Sequence, residues 1–289
     1  MSGHIAELSR RGVVAVSGND AEKFLNDLIT CSLPAEGGAA YGGLLTPQGK
    51  VLFDFMVFHD RGRFLFDLPR AAVGDFIKRL TFYRLRAKVD IADLSDDHIV
   101  VVAWGSDRPP IMDGPVVPDP RLAVLGFRSI VPAGADMAPD FDEARDSDYD
   151  AHRIALGIPE GGIDFAFGDF FPHDAAMDQL AGVDFAKGCY VGQEVVSRME
   201  HRGTARRRFV VATAAAPLPT AATPVTAGDR ALGTLGSSSG ATGLALVRLD
   251  RAKAAMDAGT PIVADNAGIT LTLPAWATYA WPTQAGDGD

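Results

Sequence analysis

The densest group of reactive side chains lies in segment 187–198, which reads Lys-Gly-Cys-Tyr-Val-Gly-Gln-Glu-Val-Val-Ser-Arg. Two glycines flank Cys189 and the tyrosine after it, so the backbone can turn sharply and approach other groups closely. Lys187 precedes the thiol by two residues, and a nearby ammonium favours the thiolate, which is the nucleophilic form. Glu194 falls in the first turn of a predicted helix that continues to Arg198, a position favoured by the helix dipole. The segment is therefore the first candidate for thiol chemistry.

Other interpretations of these residues remain open. Cys189 is also compatible with a buried structural cysteine in a glycine-rich turn, because free cysteines are often buried. A cysteine–histidine pair would need His173 or His201, but no local nucleophile signature supports it. A single cysteine without histidine at ligand spacing is a poor metal site, so no stably bound metal is expected. Cys31, at the end of a predicted helix, is interpreted as structural.

Composition narrows the function classes. The chain has 289 residues and a net charge of −10, which argues against broad nucleic-acid binding. Positive residues nevertheless concentrate in 61–90 and 187–208, either as solvated faces or as one local surface for an anion or a partner. No apolar run is long enough to cross a membrane, so no membrane association is expected. Two cysteines and no secretory signal after Met1 predict a reducing, cytoplasmic compartment.

Hydrophobic periodicity and turn residues predict a mixed α and β chain. A hairpin is predicted around the turn Thr46–Lys50, and 134–150 is predicted as an exposed helix or connector. Short strands separated by polar turns after residue 208 predict a small β-barrel or sandwich, with a domain boundary near 205–210. The predicted helices are 21–30, 71–80 and 149–156; the predicted strands are 12–16, 63–68, 88–91, 98–104, 122–131, 209–213, 231–235, 243–247, 261–264 and 269–273; and the predicted loops are 105–120 and 160–180.

Segment 187–194 followed by Arg198 resembles the signature of the YgfZ family. That family belongs to the folate-binding superfamily of the glycine-cleavage T-protein, an aminomethyltransferase. The resemblance extends over most of the chain and is weakest in 105–148. The other similar segments are 18–30, 48–54, 153–159 and 233–248.

The resemblance implies an α+β fold, with three T-protein-like domains around a central folate channel. The expected domains are 1–45 together with 134–205, a ferredoxin-like domain over 46–133, and a C-terminal β-barrel over 206–289. The implied cofactor is tetrahydrofolate or a one-carbon derivative. The implied role is assembly or repair of iron–sulfur enzymes, especially four-iron ones, with iron–sulfur client or assembly proteins as partners. A monomer without stably bound nucleic acid is expected.

The resemblance also assigns roles to residues. Cys189 is the thiol tied to function, supported by Lys187, and Glu194 is the carboxylate that contacts the pterin ring. Asp54 falls near the catalytic aspartate of the T-protein, but Phe53 stands where the transferase tends to carry a second acid. This departure points away from aminomethyl transfer, which remains the first alternative; an RNA- or partner-binding module is the second. The remaining expected cofactor-binding residues are Gln193, Tyr190, Gly192, Arg198 and Arg84, and the aromatic residues Phe165, Phe167, Phe170 and Phe171 are candidates for ring stacking.

Overall fold

The computed structural model describes residues 3–203 and 205–282. Its strands are β1 (Gly3–Glu7), β2 (Arg11–Ser17), β3 (Ala39–Leu45), β4 (Val51–Asp60), β5 (Arg63–Pro69), β6 (Asp90–Asp93), β7 (His98–Trp104), β8 (Val116–Pro118), β9 (Phe127–Pro132), β10 (Phe141–Glu143), β11 (Arg207–Ala214), β12 (Pro224–Ala227), β13 (Arg230–Ser239), β14 (Thr242–Arg248), β15 (Ile262–Ala264) and β16 (Ala267–Thr272). Its α-helices are α1 (Ala21–Asn26), α2 (Val73–Arg84), α3 (Asp146–Ala155), α4 (Gln193–Arg202) and α5 (Leu249–Asp257). Within these ranges, no helix has the length and apolar character needed to span a bilayer.

The chain divides into two compact units. The first contains the residues up to Tyr149 together with Phe167–Pro172 and Leu180–Arg198. The second contains Asp150–Ala166, His173–Gln179 and the residues from Met199 onward. The predicted barrel domain reaches residue 289, of which 283–289 lie outside the described residues, as do Met1 and Ser2.

One sheet of the first unit is antiparallel throughout, with the order β3-β4-β5-β2-β6. The predicted hairpin is confirmed, because β3 and β4 pair from Ala39↔Phe58 to Leu45↔Val51 around the turn at 46–50. Apolar side chains of β4 and β5 face α2, and Phe76 of that helix contacts the rings of Phe55 and Phe66. Burial of these rings is the main driving force for docking α2 on the sheet.

The other sheet of the first unit has the order β10-β1-β7-β9-β8. Strands β7 and β9 lie in or overlap predicted strands, whereas β1, β8 and β10 were not predicted. Each of the three has five residues or fewer, and β10 lies in the acidic stretch. β10 pairs in parallel with β1, starting at Gly3↔Phe141. A pairing so distant in sequence leaves no local signal.

The second unit contains the predicted C-terminal β-barrel, which is confirmed as a closed barrel in the order β11-β14-β13-β12-β15-β16. Its longest pairing joins β11 and β14, from Arg207↔Arg248 to Thr213↔Thr242. The apolar side chains inside form one core together with those of α5. Neither α5 nor β12 was predicted, since β12 lies within an alanine-, proline- and threonine-rich stretch that resembles a loop.

The structure groups the strands differently from the expected domains. The expected boundary between 45 and 46 falls in the β3–β4 turn, and both strands belong to one sheet with continuous hydrogen-bonded pairing. A hairpin cannot be divided between domains without leaving an unpaired edge on each side. Both sheets lie within the first compact unit, and the barrel begins at Arg207, next to the expected boundary.

Candidate functional site

The signature segment forms an irregular loop that leads into α4. The predicted helix start is confirmed, because α4 begins at Gln193. Cys189 is exposed in the loop, which contradicts a buried structural role for this thiol. The next residue, Tyr190, points inward and is 6% exposed. The loop therefore presents the thiol to solvent while its neighbour is held in the protein.

Hydrogen bonds fix the chain just before the thiol. The Thr30 hydroxyl donates to the carbonyl of Gly182 at 2.6 Å and accepts from the backbone N–H of Gly43 at 2.8 Å. The Ser32 hydroxyl donates to Asp184 at 2.6 Å. Asp184 also accepts the N–H groups of residues 186 and 187. The Ser32 hydrogen bond and these backbone donors lower the pKa of Asp184. Asp184 and Thr30 were not predicted, although a polar residue after an apolar helix and an aspartate in a loop are typical turn signals.

Lys187 has an anchoring contact. Its Nζ donates to the carbonyls of Ile29 and Cys31, both at 2.8 Å. Partial burial lowers the pKa of Lys187. Cys31 itself is buried, and burial raises the pKa of its thiol to about 12, so Cys31 stays protonated near neutral pH. The structure thus shows Lys187 tying the loop to segment 29–31, while its expected influence on Cys189 stays a prediction.

Gly192 fixes the other end of the loop. It has φ +84°, and a Cβ there would lie 2.5 Å from the carbonyl oxygen of Thr46. The turn approaches from the opposite side, because a Cβ at Gly49 would lie 3.0 Å from that of Val195. Glycine at both positions permits this close contact between the β3–β4 turn and the start of α4.

Gly192→Ala is expected to destabilise the first unit by about 2 kcal/mol or more. The alanine would have to adopt a positive φ, and its Cβ would clash with the carbonyl oxygen of Thr46. Gly188→Ala is the matched control, since a Cβ there meets nothing within 4 Å and its φ is not in the left-handed region. Chemical unfolding of both variants measures the difference. Equal stability of the two variants would show that the loop does not depend on the close contact at residue 192.

The expected cofactor-binding residues of α4 lie at the surface. Glu194 and Arg198 are exposed, and Gln193 is partly buried. Within the described residues, the side chains of Glu194 and Arg198 form no hydrogen bond or ion pair. The Tyr190 hydroxyl is buried and has no hydrogen-bond partner among the described residues. Burial raises the pKa of Tyr190 to about 12, so it remains a donor. A buried hydroxyl of this kind normally meets a partner, and a bound ligand or water would supply one.

Asp54 lies in β4 and is 4% exposed. The hydroxyl of Tyr41 donates to its Oδ2 at 3.1 Å. Burial and the adjacent Asp54 raise the pKa of Tyr41 well above its ordinary value. The guanidinium of Arg121 lies 5.8 Å from the Tyr41 ring centroid. Asp54 is therefore an interior carboxylate that accepts a hydrogen bond from a tyrosine.

Among the described residues, Arg84 and the signature segment do not line the same depression, and a cofactor-binding role for Arg84 stays a prediction. Arg84 is exposed at the end of α2, where it donates to the carbonyl of Val89 at 3.4 Å. It lines a surface depression to which the signature segment contributes none of the described lining residues. Two of the candidate stacking residues have protein partners in the first unit: Phe167 contacts the Phe53 ring at 5.9 Å between centroids, and Lys50 lies over Phe171. In the second unit, Phe165 is buried against Phe209 of the barrel.

The second unit has a separate pocket of about 600 Å³ beside the barrel, lined in part by His173, Glu200 and Arg208. Ligand atoms of His173, Asp178 and Glu200 lie within 4.8 Å of one another, a spacing that a metal ion could bridge. Arg208 binds both carboxylate oxygens of Asp178, at 2.7 and 2.9 Å. The guanidinium neutralises the carboxylate that a cation would need, so these side chains form an ion-pair network.

A likeness to a solved structure defines the class of fold. The glycine cleavage system aminomethyltransferase T from Bartonella henselae superposes with a TM-score of 0.72 at 15% identity, covering 95% of this chain and 86% of that one. The protein therefore has the aminomethyltransferase-like fold that the sequence predicts, with a closed C-terminal barrel.

Sequence comparisons define the family. Residues 206–279 match the family model described as "CAF17, C-terminal beta-barrel domain". The mouse "Iron-sulfur cluster assembly factor IBA57, mitochondrial" is 30% identical over 310 residues, which cover 96% of this chain and 85% of the relative. The chain belongs to the CAF17/IBA57 family.

Fungal relatives are longer than this chain. The homologue of Mycosarcoma maydis is 33% identical over 225 residues and that of Neurospora crassa 32% over 233; each match covers 71% of this chain. The chain spans 56% and 52% of their respective lengths. Both carry the name "Iron-sulfur cluster assembly factor IBA57 homolog, mitochondrial".

The comparisons correct two predictions. The YgfZ resemblance identified a related family, but the family is IBA57. The prediction of a cytoplasmic location is wrong, since the matched relatives are named as mitochondrial proteins. The prediction rested on cysteine content and on the lack of a recognisable secretory signal, and neither feature distinguishes one reducing compartment from another.

Proposed function

We propose that this protein is an iron–sulfur cluster assembly factor whose functional thiol is Cys189. The observation that carries the proposal is an exposed cysteine on a loop clamped at both ends, in a chain whose relatives are named iron–sulfur cluster assembly factors. The clamp consists of Lys187 on one side and Gly192 on the other. A thiol held in this way is preorganised, so a partner does not have to order the loop on binding.

Cys189 acts together with ligands from a partner. Four thiolates normally hold an iron–sulfur cluster. The other cysteine of this chain, Cys31, is buried with its thiol protonated. Cys189 therefore supplies one ligand to a cluster, or contacts the protein that carries the cluster. The partner supplies the remaining ligands.

We further propose that the signature residues bind a folate. The polar side chains fit a folate. The carboxylate of Glu194 can accept hydrogen bonds from the donor edge of a pterin, the buried Tyr190 hydroxyl can donate one, and the Arg198 guanidinium can pair with a glutamate tail. Bound tetrahydrofolate would supply one-carbon or reducing chemistry at its pterin ring. Gln193 and the N–H groups at the start of α4 would orient the ligand, with Gly192 allowing close backbone approach. Asp54 stays a candidate for proton handling in the interior.

The thiol is tested by Cys189→Ser in cells whose iron–sulfur enzymes depend on a relative of this chain. We expect the variant to fail to restore the activity of these iron–sulfur enzymes, while its thermal unfolding stays unchanged. Gly188→Ala, one residue away in open space, is the matched control and should restore activity fully. In the folded wild type, a thiol reagent should label one cysteine of the two. Full restoration by Cys189→Ser would rule out the functional thiol.

Folate binding is tested separately by calorimetric titration with tetrahydrofolate. Glu194→Gln should weaken binding at least about tenfold, since it removes a charge-assisted acceptor pair worth roughly 1.5–3 kcal/mol. Glu22→Gln is the matched control, because Glu22 is also an exposed first-turn glutamate, in α1. Equal affinity of the two variants would remove Glu194 from the site, and no heat with the wild type would remove the folate proposal but leave the thiol proposal standing.

A further inference from the structure

The C-terminal end of α2 carries two large apolar side chains in solvent. Phe82 is 71% exposed and Leu85 is 89% exposed. Another large apolar side chain with a similar exposed fraction is Ile111, at 86%. Phe82 contacts the ring of Tyr83, and neither Phe82 nor Leu85 is covered by other parts of the chain. The two side chains are three residues apart in the sequence, and large apolar side chains that are exposed near one another are typical of interaction sites.

Leu85 has an unusual backbone conformation. It ends α2 with φ 45° and ψ −104°. Positive φ at a helix end is normally occupied by glycine, because a side chain there is strained. A strained residue persists only where its surroundings hold it, and such residues concentrate at functional sites. The sequence thus places a leucine at a position where glycine would be unstrained.

Asp20 holds the loop after Leu85 through two hydrogen bonds with Lys88. The Asp20 carboxylate accepts the backbone N–H of Lys88 at 2.7 Å, and the Asp20 N–H donates back to the Lys88 carbonyl. Gly18 allows this approach, since a Cβ there would lie 2.3 Å from the Lys88 oxygen. Leu85 is thus displayed from a rigid base, and its exposure follows from the geometry of the loop.

Positive charge surrounds the two apolar side chains. Among the described residues, Arg79, Arg86 and Lys88 form no ion pair. Arg86 and Lys88 line a surface depression of about 440 Å³, together with Leu85 and Arg84. Of the neighbouring acidic residues, Asp75 pairs with Lys78 and Asp20 holds the loop, while Asp90 also lines the depression beside three basic residues. This local charge is opposite in sign to the net charge of −10.

We propose that this basic–apolar tip, formed by Arg79, Phe82 and residues 84–88, docks an acidic segment of a partner protein that inserts one large apolar side chain. Charge complementarity selects the acidic segment, and the depression beside Leu85 accepts the side chain. A protein segment fits better than nucleic acid, because the chain is acidic overall and a few cations around an apolar centre neutralise few phosphates. A protein segment also fits better than a membrane. A membrane-binding helix would need a broad apolar face and a polar face rich in lysine and arginine.

The experiment uses a fluorescent peptide with the sequence Asp-Glu-Asp-Phe-Glu-Asp-Glu and fluorescence anisotropy at low salt. We expect saturable binding to the wild type that weakens with salt, and at least tenfold weaker binding when the peptide phenylalanine is alanine. Leu85→Gly should also weaken binding at least tenfold while its melting temperature stays equal or rises, because glycine relieves the strain. This combination separates a lost contact from a lost fold.

Two further variants complete the test. Arg86→Glu together with Lys88→Glu should abolish binding, whereas Ile111→Gly, which removes an equally exposed apolar side chain elsewhere, should leave it unchanged. Absence of peptide binding to the wild type, or unchanged binding by Leu85→Gly, would overturn the proposal. Tighter binding to phosphatidylserine vesicles or to a twelve-nucleotide RNA than to the peptide would also overturn it, in favour of a membrane or nucleic-acid surface.

Discussion

Replacing Arg153 with methionine is expected to destabilise the second unit by about 3–5 kcal/mol, the usual cost of breaking a buried ion pair from one side. Arg153 is 1% exposed. Its guanidinium donates to Asp150 at 2.7 Å, to Asp164 at 2.8 Å and to the hydroxyl of Ser237 at 3.2 Å. Methionine retains the length and apolar stem of the side chain but leaves the buried carboxylates without their cation.

The geometry explains why this one side chain matters. The side chain of Asp164 is fully buried, and it also accepts hydrogen bonds from the N–H and hydroxyl of Ser237 in β13. Glu160 lies 3.4 Å from the Arg153 Nε. Burial alone would lower the pKa of Arg153, but Asp164, Glu160 and Asp150 raise it above its ordinary value. The cation is thus held firmly, and it joins α3, the following loop and a barrel strand.

Arg145→Met is the matched control for this prediction. Arg145 and Asp148 are also an arginine–aspartate pair three residues apart, but both are exposed. Water replaces the lost contact there, so the unfolding midpoint should hardly change. Guanidinium unfolding followed by tryptophan fluorescence is suitable, since Trp276 donates to the carbonyl of Leu156 just after α3. A loss below about 1 kcal/mol for Arg153→Met would show that the network does not stabilise the unit.

The parts of this fold that sequence predicted well are those with strong local signals. The Thr46–Lys50 turn lies between two β-rich arms and contains glycine, and the structure places the hairpin there. The start of α4 follows from an acidic first turn after Gly192. Helix α1 ends at Asn26, earlier than its apolar pattern predicts, because Ile29 leaves the helix to form a bridge with Leu44. Tertiary pairing there overrides local periodicity.

The sequence motif supplies candidate site residues, whose roles stay predictions, but it does not supply the contacts that support them. The motif alone identified Cys189 and Glu194 as candidates. It carried no information about Thr30 or the carbonyls that bind Lys187, because these contacts join positions more than 150 residues apart. Interior charges were missed for a different reason. Asp67 sits in the apolar run of β5, where a lone aspartate is itself a signal of a buried ionic partner.

Asp67→Asn is expected to destabilise the first unit by about 3–5 kcal/mol at neutral pH, for the same reason as Arg153→Met in the other unit. Asp67 is fully buried. Its two oxygens accept from the Nε atoms of Arg11 and Arg128, both at 2.5 Å. Arg128 also lies 3.9 Å from Asp119, which is held by Arg121 at 2.8 Å. Asparagine preserves the shape of Asp67 but leaves two buried guanidinium groups with one carboxylate fewer.

The destabilisation caused by Asp67→Asn should depend on pH, and the pKa of Asp67 determines the direction of this dependence. Burial alone would raise the pKa of Asp67, but Arg11 and Arg128 lower it below the ordinary value of 3.8. A carboxylate whose folded pKa is depressed stabilises the protein fully above its unfolded pKa, and this contribution disappears as pH falls through the folded value. The difference in unfolding free energy between wild type and Asp67→Asn should therefore be constant above about pH 5 and should shrink below pH 4.

An exposed aspartate separates this effect from general acid destabilisation. Asp75 pairs with Lys78 on the surface of α2, with both side chains largely in solvent, so Asp75→Asn should follow the wild-type stability at every pH. Urea unfolding at several pH values between 3 and 7 measures all three proteins. A difference between wild type and Asp67→Asn that is small at pH 7, or that grows as pH falls, would contradict an ionised Asp67. The charge of Arg128 would then be compensated by Asp119 and not by Asp67.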